Sequence, residues 1–264
     1  MPEFSAKDVQ RLRQASGAGM MDAKRALTET DGDFDAAATW LREKGLSTAT
    51  ERGGRENTQG AVAIAVDGRA AAIVELKCET DFVAKSDAFI GVVQDIADVV
   101  AAKGDEAAAE AAVTVDDLRV TLKENIEIGQ VVRLVVADGN TLDTYLHRQE
   151  SRGVNAVAVE LAGGRQELAH DLAIHIAFTK PRYQRREDVP VDEIEAERQT
   201  LEAISRQEGR PAAALPKIVE GRLDAWIRDR VLLEQKWVRD EKQTIRDLLG
   251  DTELVRFAQV YIGS

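Results

Sequence analysis

The sequence predicts an α+β fold with helical additions in two places, and three observations lead to that prediction. Apolar residues recur at helical spacing in residues 1–46 and again in residues 190–230. Between these segments, apolar runs of strand length flank Asp67-Gly68 and Asp138-Gly139, and Asp-Gly is a typical turn of antiparallel hairpins. A stretch of helical periodicity follows each hairpin. We therefore expect two related α+β subdomains with antiparallel sheets.

These changes of pattern divide the 264 residues into six predicted segments. In order, they are a three-helix domain at 1–46, a linker at 47–59, a first core subdomain at 60–130, a second core subdomain at 131–189, an antiparallel helical hairpin (coiled coil) at 190–230, and a return to the second core subdomain at 231–264.

The N-terminal segment carries the start and stop signals of three helices. Ser5 and Asp8 form a capping pair at the first helix. Gly17-Ala18-Gly19 separates the first helix from the second, and Asp33 is placed to cap the third. Gly45 is a plausible end for that third helix. A domain this small buries little apolar surface and is marginally stable alone.

The first core subdomain is predicted from one hairpin and one long helix. Ala61–Val66 and Ala70–Lys77 are its two strands, and an apolar stripe over residues 87–103 predicts the helix. The polar, Gly-rich residues 47–59 before it are typical of a linker.

The second core subdomain repeats this plan. Val131–Ala137 and Thr141–His147 are predicted as a hairpin, followed by a strand at Val154–Leu161 and a helix over residues 166–179. The third strand ends in a Val-Glu-Leu sequence that repeats Val74-Glu75-Leu76. We interpret the repetition as an internal duplication.

Narrow apolar seams characterise the last predicted addition. Ile194, Leu201 and Ile204 share one helix face, Gly209-Arg210-Pro211 breaks the chain, and residues 215–227 carry a second seam. Two such helices form an antiparallel hairpin, which we expect to project because so narrow a stripe buries little beyond its partner.

Composition restricts the class of partner. The chain is 44% hydrophobic and 31% charged, as globular proteins are. Its net charge of −12 makes direct nucleic-acid binding a poor hypothesis and favours a basic or neutral protein partner. One cysteine fits a reducing cytoplasm. No apolar run is long enough to span a membrane, and Met1-Pro2-Glu3-Phe4-Ser5 does not resemble a secretory signal. A homo-oligomer is not required.

The sequence contains no catalytic constellation, so we predict neither an enzyme nor a cofactor. His170 and His175 are five residues apart, whereas a helical zinc motif needs four. Cys78 lacks a nearby catalytic partner and is interpreted as a buried structural thiol.

A few positions suit contacts with another protein. Thr80-Asp81-Phe82-Val83 lies between a strand-like run and a helical one, where Phe82 could fill the core or form a wedge for a partner. Met20 and Met21, with Arg13, cluster around the first interhelical turn, where methionines serve either as core filler or as adaptable contacts. His147 could be a solvent-facing strand end.

Four segments resemble one known family. Residues 12–27 (LRQASGAGMMDAKRAL) and 78–85 (CETDFVAK) resemble the two signatures of the translation elongation factor Ts family. Residues 145–147 (YLH) and 215–222 (LPKIVEGR) also resemble segments of that family, in the same order. Two departures are Gly129-Gln130, where many members have arginines, and Lys236, where proline is common.

The resemblance implies a fold and an activity. The fold would be a UBA-like three-helix domain, two similar α+β subdomains and a protruding antiparallel coiled coil. The activity would be guanine-nucleotide exchange on elongation factor Tu, a GTPase that delivers aminoacyl-tRNA in the elongation phase of translation.

The resemblance also assigns roles to particular residues. Thr80, Asp81, Phe82 and Val83 would insert near the magnesium of the GTPase and dislodge it. His147 would help to disturb the phosphate-binding loop. Three residues of the N-terminal domain would dock on the nucleotide domain: Arg13, Met20 and Met21.

Two other classes of function remain open from the residues alone. A UBA-type adaptor or chaperone-like binding protein would use residues 1–46 as its recognition head and would not need Phe82. An enzyme with an unrecognised site is the second alternative, although His, Cys and Asp are not clustered.

Overall fold

The α+β prediction is confirmed by the computed structural model, which describes residues 4–263, with residues 46–52 described by backbone alone. The helices are α1 Ala6–Ser16, α2 Met20–Glu29, α3 Phe34–Arg52, α4 Asp81–Ala84, α5 Asp87–Lys103, α6 Ala112–Leu122, α7 Gln166–Thr179, α8 Val191–Gln207, α9 Leu215–Arg230 and α10 Ile245–Leu249. The strands are β1 Gln59–Asp67, β2 Ala70–Cys78, β3 Glu127–Val135, β4 Asn140–Gln149, β5 Arg152–Ala162, β6 Lys236–Trp237, β7 Asp240–Thr244 and β8 Glu253–Tyr261. Short 3-10 segments lie at Asp105–Ala111, Arg186–Asp188 and Leu232–Glu234.

The chain forms two compact units. One comprises Met1–Arg133, Leu146–Asn155 and Val260–Ser264, and the other comprises Leu134–Tyr145 and Ala156–Gln259. The six predicted segment boundaries stay predictions. The prediction that the N-terminus is not a secretory signal concerns Met1–Ser5, of which residues 1–3 lie outside the described residues.

Three N-terminal helices pack around a small apolar core that includes Leu12 and Leu27. The capping signals are confirmed: Ser5 and Asp8 form a capping box on α1, and the Asp33 carboxylate accepts hydrogen bonds from two backbone N–H groups of α3. The predicted end of the third helix at Gly45 is wrong, because α3 continues to Arg52.

Gly45 serves helix packing instead of helix termination. A Cβ at this position would lie 2.7 Å from Cγ1 of Val120 in α6. The glycine therefore allows α3 and α6 to approach each other closely, a role that its sequence context does not distinguish from a C-cap.

The first sheet has the strand order β1-β2-β3. Strands β1 and β2 form the predicted antiparallel hairpin, with Asp67 opposite Ala70 at the turn. Helix α5 covers the sheet with its apolar stripe, and the buried Phe89 and Ile96 belong to the shared core. The predicted helix over residues 87–103 is confirmed.

The predicted hairpin of Val131–Ala137 and Thr141–His147 is wrong. Strand β3 joins the first sheet, whereas β4 belongs to a second sheet of order β4-β5-β8. The turn between β3 and β4 is instead tied to the buried Glu160 of β5, which accepts hydrogen bonds from the Ala137 N–H (2.9 Å) and the Asn140 side chain (2.7 Å). Identical turn residues do not determine which strands pair.

The internal repeat consequently has different members from those predicted. Hairpin β1-β2 followed by α5 corresponds to hairpin β4-β5 followed by α7. Each central strand carries a buried glutamate, Glu75 in β2 and Glu160 in β5, and each of these carboxylates accepts a backbone N–H. Burial alone would raise the pKa of Glu160, but hydrogen bonds from Asn140, the Ala137 N–H and Arg256 hold it below its usual range.

Helices α8 and α9 follow the second sheet's helix α7 and are joined by the predicted break at Gly209-Arg210-Pro211. Ile194, Leu201, Leu223 and Ile227 contribute to their shared apolar cluster. The projecting coiled coil remains a prediction. Among the described residues, none of the helices combines the length and apolarity needed to cross a bilayer.

Gly129 is one of the departures from the resemblance, and packing accounts for it. A Cβ there would lie 2.2 Å from Oε2 of Glu75, which is buried and accepts the Gln130 N–H at 3.1 Å. We expect Gly129→Ala to lower the free energy of unfolding by about 1–3 kcal/mol, measured by urea denaturation, because the carboxylate must leave its hydrogen bond. Gly91→Ala in α5 is the control, since its Cβ would meet nothing within 4 Å. Equal stability of the two variants would contradict this account.

Candidate functional site

Phe82 lies on the connection between β2 and α5 and points outward. Its side chain is 83% exposed, so the interpretation of Phe82 as a core residue is wrong. The single turn of helix α4 explains the direction: Ala84 is fully buried, Val83 packs on the same core from a half-buried position, and Phe82 is left on the opposite side. The aromatic ring of the core is supplied by Phe89 instead.

Thr80 begins α4 in extended backbone conformation. Its hydroxyl oxygen accepts a hydrogen bond from the Val83 N–H at 3.4 Å, which is the usual action of an N-cap threonine. Asp81 occupies the first helical position, where a carboxylate faces the positive end of the short helix. The predicted strand-to-helix turn is thus a capped helical turn that presents a ring beside a carboxylate.

A lysine connects this turn to a second loop. The Lys85 ammonium contacts the Asp81 carboxylate at 2.7 Å and the Glu150 carboxylate at 3.0 Å. The hydrogen bond from Lys85 holds the pKa of Asp81 below its usual range, and the same two carboxylates raise the pKa of Lys85. Asp81 is therefore an anion at neutral pH.

His147 is carried by the hairpin that this lysine contacts. The β4-β5 turn contains Glu150, in the left-handed backbone region (φ +57°), and Ser151, whose hydroxyl donates to the Lys85 carbonyl at 3.4 Å. His147 lies three residues before Glu150, is exposed, and is followed by two more strand residues, so the strand extends beyond its predicted end. The structure thus ties the hairpin bearing His147 to the turn bearing Phe82.

Cys78, at the end of β2 just before the turn, has no exposed or reactive thiol. Cys78 is fully buried, and burial, with the nearby charge of Glu124, raises the pKa of its thiol to about 12. Its sulfur donates to the Thr80 carbonyl at 3.2 Å. The prediction of a buried structural thiol is confirmed.

Arg13, Met20 and Met21 flank the turn between α1 and α2. All three are exposed: Arg13 lies in the last turn of α1, and Met20 and Met21 begin α2 with exposures of 48% and 75%. These methionines are therefore not core filler. They belong to the three-helix domain, whose core is separate from the one beneath Phe82.

The remaining candidates for chemistry have structural surroundings. His175 is buried against Gln235, and burial lowers its pKa. His170 is hydrogen-bonded to Asp143 at 3.0 Å. Within residues 4–45 and 53–263, no group of three or more His, Cys, Asp or Glu side chains is arranged to hold a metal ion.

Three contacts around the turn were missed from sequence. The spacing of four between Asp81 and Lys85 on a helical turn could have indicated their ion pair. Glu150 and Glu124 are 65 and 39 residues away from Lys85, and only the fold brings them to the turn.

Comparison with known proteins gives consistent results. A family model described as Elongation factor TS matches residues 79–264. The chain is 41% identical to the elongation factor Ts of Clavibacter michiganensis subsp. michiganensis over 278 residues, covering 100% of both chains. It is 44% identical to that of Mycobacterium marinum over 270 residues (97% of this chain and 98% of the relative) and 40% identical to that of Acidothermus cellulolyticus over 277 residues (100% and 99%).

Proposed function

The chain belongs to the elongation factor Ts family, and from this premise we propose that it is a guanine-nucleotide exchange factor for elongation factor Tu. It binds the GDP-bound GTPase in the cytoplasm, dislodges the magnesium ion and promotes GDP release. It acts through protein contacts, without a covalent step and without a cofactor of its own. No contact with nucleic acid or membrane is required.

The observation that carries this proposal is the exposed Phe82 beside the anionic Asp81. A ring that is 83% exposed on a capped turn offers apolar surface that a partner can bury. A GTPase holds GDP through magnesium and through backbone amides around the phosphates. Insertion of the ring between two elements of the GTPase would shift the ligands of that magnesium, and His147 would act on the phosphate loop.

Exchange requires that the factor bind the empty GTPase more tightly than the loaded one. The coupling is reciprocal, so whatever weakens GDP in the presence of the factor weakens the factor in the presence of GDP. A ten-thousandfold shift requires about 5.5 kcal/mol of differential binding, whereas burial of one Phe side chain supplies about 1.5–3 kcal/mol. The rest must come from other contacts, for which Arg13, Met20 and Met21 are the candidates.

A nucleotide-release assay tests the proposal directly. Elongation factor Tu loaded with fluorescent GDP is mixed with excess unlabelled GDP, with and without this protein. We expect release to become faster in proportion to the factor concentration and then to saturate. Unchanged release at micromolar factor would refute the exchange function, and binding without acceleration would favour the adaptor alternative.

The two methionines should govern affinity more than the limiting rate. We expect Met20→Ala/Met21→Ala to raise the factor concentration for half-maximal release by roughly tenfold, because the apolar contact area of both side chains is lost. The maximal rate should stay near the wild-type value, since the turn at Phe82 is untouched. Met20→Leu/Met21→Leu is the control and should retain most of the affinity. A reduced maximal rate with unchanged half-saturation would contradict this division of roles.

A further inference from the structure

We propose that Glu124 is a positioning residue that orders the turn carrying Phe82, an inference that rests on the exchange function proposed above. Glu124 follows α6, 42 residues beyond Phe82 in the chain. Its carboxylate nevertheless accepts three hydrogen bonds from Glu79 and Thr80, the two residues that precede helix α4. The exposed ring is therefore presented on a turn that a second loop holds in place.

The geometry of these bonds is specific. Oε2 of Glu124 accepts the N–H of Glu79 at 3.0 Å and the N–H of Thr80 at 3.1 Å, and Oε1 accepts the Thr80 hydroxyl at 2.5 Å. Both backbone N–H groups follow the end of β2 at Cys78, where the sheet no longer provides partners. Hydrogen bonds to an ionised carboxylate are about twice as strong as those between neutral groups.

Thr80 connects this interaction to helix α4, which carries Phe82. Its hydroxyl donates to Glu124 and accepts from the N–H of Val83, the residue next to Phe82. A hydroxyl that is polarised by a carboxylate is a better acceptor, so the two bonds reinforce each other. Without the Glu124 carboxylate, these three donors lose their acceptor. The Thr80 hydroxyl can then rotate away from the Val83 N–H, so that α4 loses its N-cap.

Glu124 is itself held firmly. Its neighbour Asn125 is buried, donates its backbone N–H to Oε1 of Glu79 at 2.7 Å and donates its side-chain amide to the Arg55 carbonyl at 2.9 Å. Ile126 is fully buried in the core shared with Cys78. The two loops are thus hydrogen-bonded in both directions: the Glu79 carboxylate accepts the Asn125 backbone N–H, and the Glu124 carboxylate accepts the Glu79 backbone N–H.

The partner need not touch Glu124 for this effect. An ordered turn already has the geometry in which Phe82 inserts into the GTPase. A disordered turn must first be ordered, and the free energy of that ordering is lost from the insertion step that opens the GTPase. Glu124 should consequently act only through Phe82. A double-mutant cycle isolates such a dependence.

The experiment measures saturated GDP release for the full-length wild type, Glu124→Ala, Phe82→Ala and the double variant. We expect Glu124→Ala to slow release by roughly fivefold or more, and to slow it less than about twofold further when Phe82 is already alanine. Glu124→Gln keeps an acceptor oxygen and should recover part of the rate. Glu110→Ala is the control: it removes an exposed carboxylate paired with Lys103 in the same unit. A wild-type rate for Glu124→Ala, or full additivity with Phe82→Ala, would overturn the proposal.

Backbone amide exchange provides a readout that is independent of the partner. In Glu124→Ala, the amides of Glu79, Thr80 and Val83 should exchange about tenfold faster or more, while those of α5 keep their protection. Unchanged exchange at these three amides would overturn the proposal. Wild-type GDP release from Phe82→Ala would instead refute the wedge function, and the amide exchange would still decide whether Glu124 orders the turn.

Discussion

Phe82→Ala is expected to reduce factor-stimulated GDP release by about 10- to 150-fold while the protein remains fully folded. The magnitude follows from the burial of one Phe side chain, about 1.5–3 kcal/mol, if that burial is realised only when the GTPase opens. Stability should not change, because the ring is 83% exposed and contributes little to the core of its own chain. The measurement is the saturated rate of fluorescent GDP release, with urea denaturation of both proteins in parallel.

Phe178→Ala is the matched control for this substitution. Phe178 lies in α7 and is 77% exposed, so the same atoms are removed from a similarly exposed position that is not on the turn. It should leave GDP release within about twofold of wild type. If both variants, or neither, lost exchange activity, the loss could not be assigned to a wedge at Phe82.

Phe82→Leu separates the ring from its apolar character. Leucine retains most of the apolar area but lacks the flat aromatic shape, so a rate between those of the wild type and Phe82→Ala is expected if burial supplies the driving force. A leucine variant as slow as the alanine variant would indicate that the shape of the ring, rather than its area, opens the GTPase.

Local signals in the sequence were sufficient for most single elements. Capping residues such as Ser5 and Asp33, and the apolar stripes of α5 and α7, depend on neighbours within a few residues, and these predictions are confirmed. Pairing between distant elements was not accessible in this way. The turn at Asp138-Gly139 has the residues of a hairpin, yet its strands enter different sheets. The acceptor of the Ala137 N–H beside this turn is the buried Glu160, which lies 23 residues further along the chain.

The candidate site shows the same division. The Thr80–Val83 segment and the turn around Met20 could be identified from sequence, as could the position of the turn between strand and helix. The carboxylates that surround the turn, Glu124 and Glu150, are distant in sequence and become neighbours only through the fold. The apolar stripe over residues 87–103 already indicates a buried Phe89, whereas the sequence leaves Phe82 open between a core position and an exposed one. The single helical turn of α4 makes that choice by directing Ala84 inward.

Phe89→Ala makes the same chemical change as Phe82→Ala, but we expect it to reduce stability and not the rate of GDP release. Phe89 is fully buried in the core between the first sheet and α5, so its truncation should lower the free energy of unfolding by about 3–5 kcal/mol through lost burial and the cavity left behind. Because the chain has two compact units, unfolding should be followed with a probe in each unit, and the loss should be concentrated in the unit that contains Phe89. At temperatures where the variant is folded, GDP release should stay close to wild type. Loss of exchange in the folded variant, with stability unchanged, would mean that the roles assigned to these two rings are reversed.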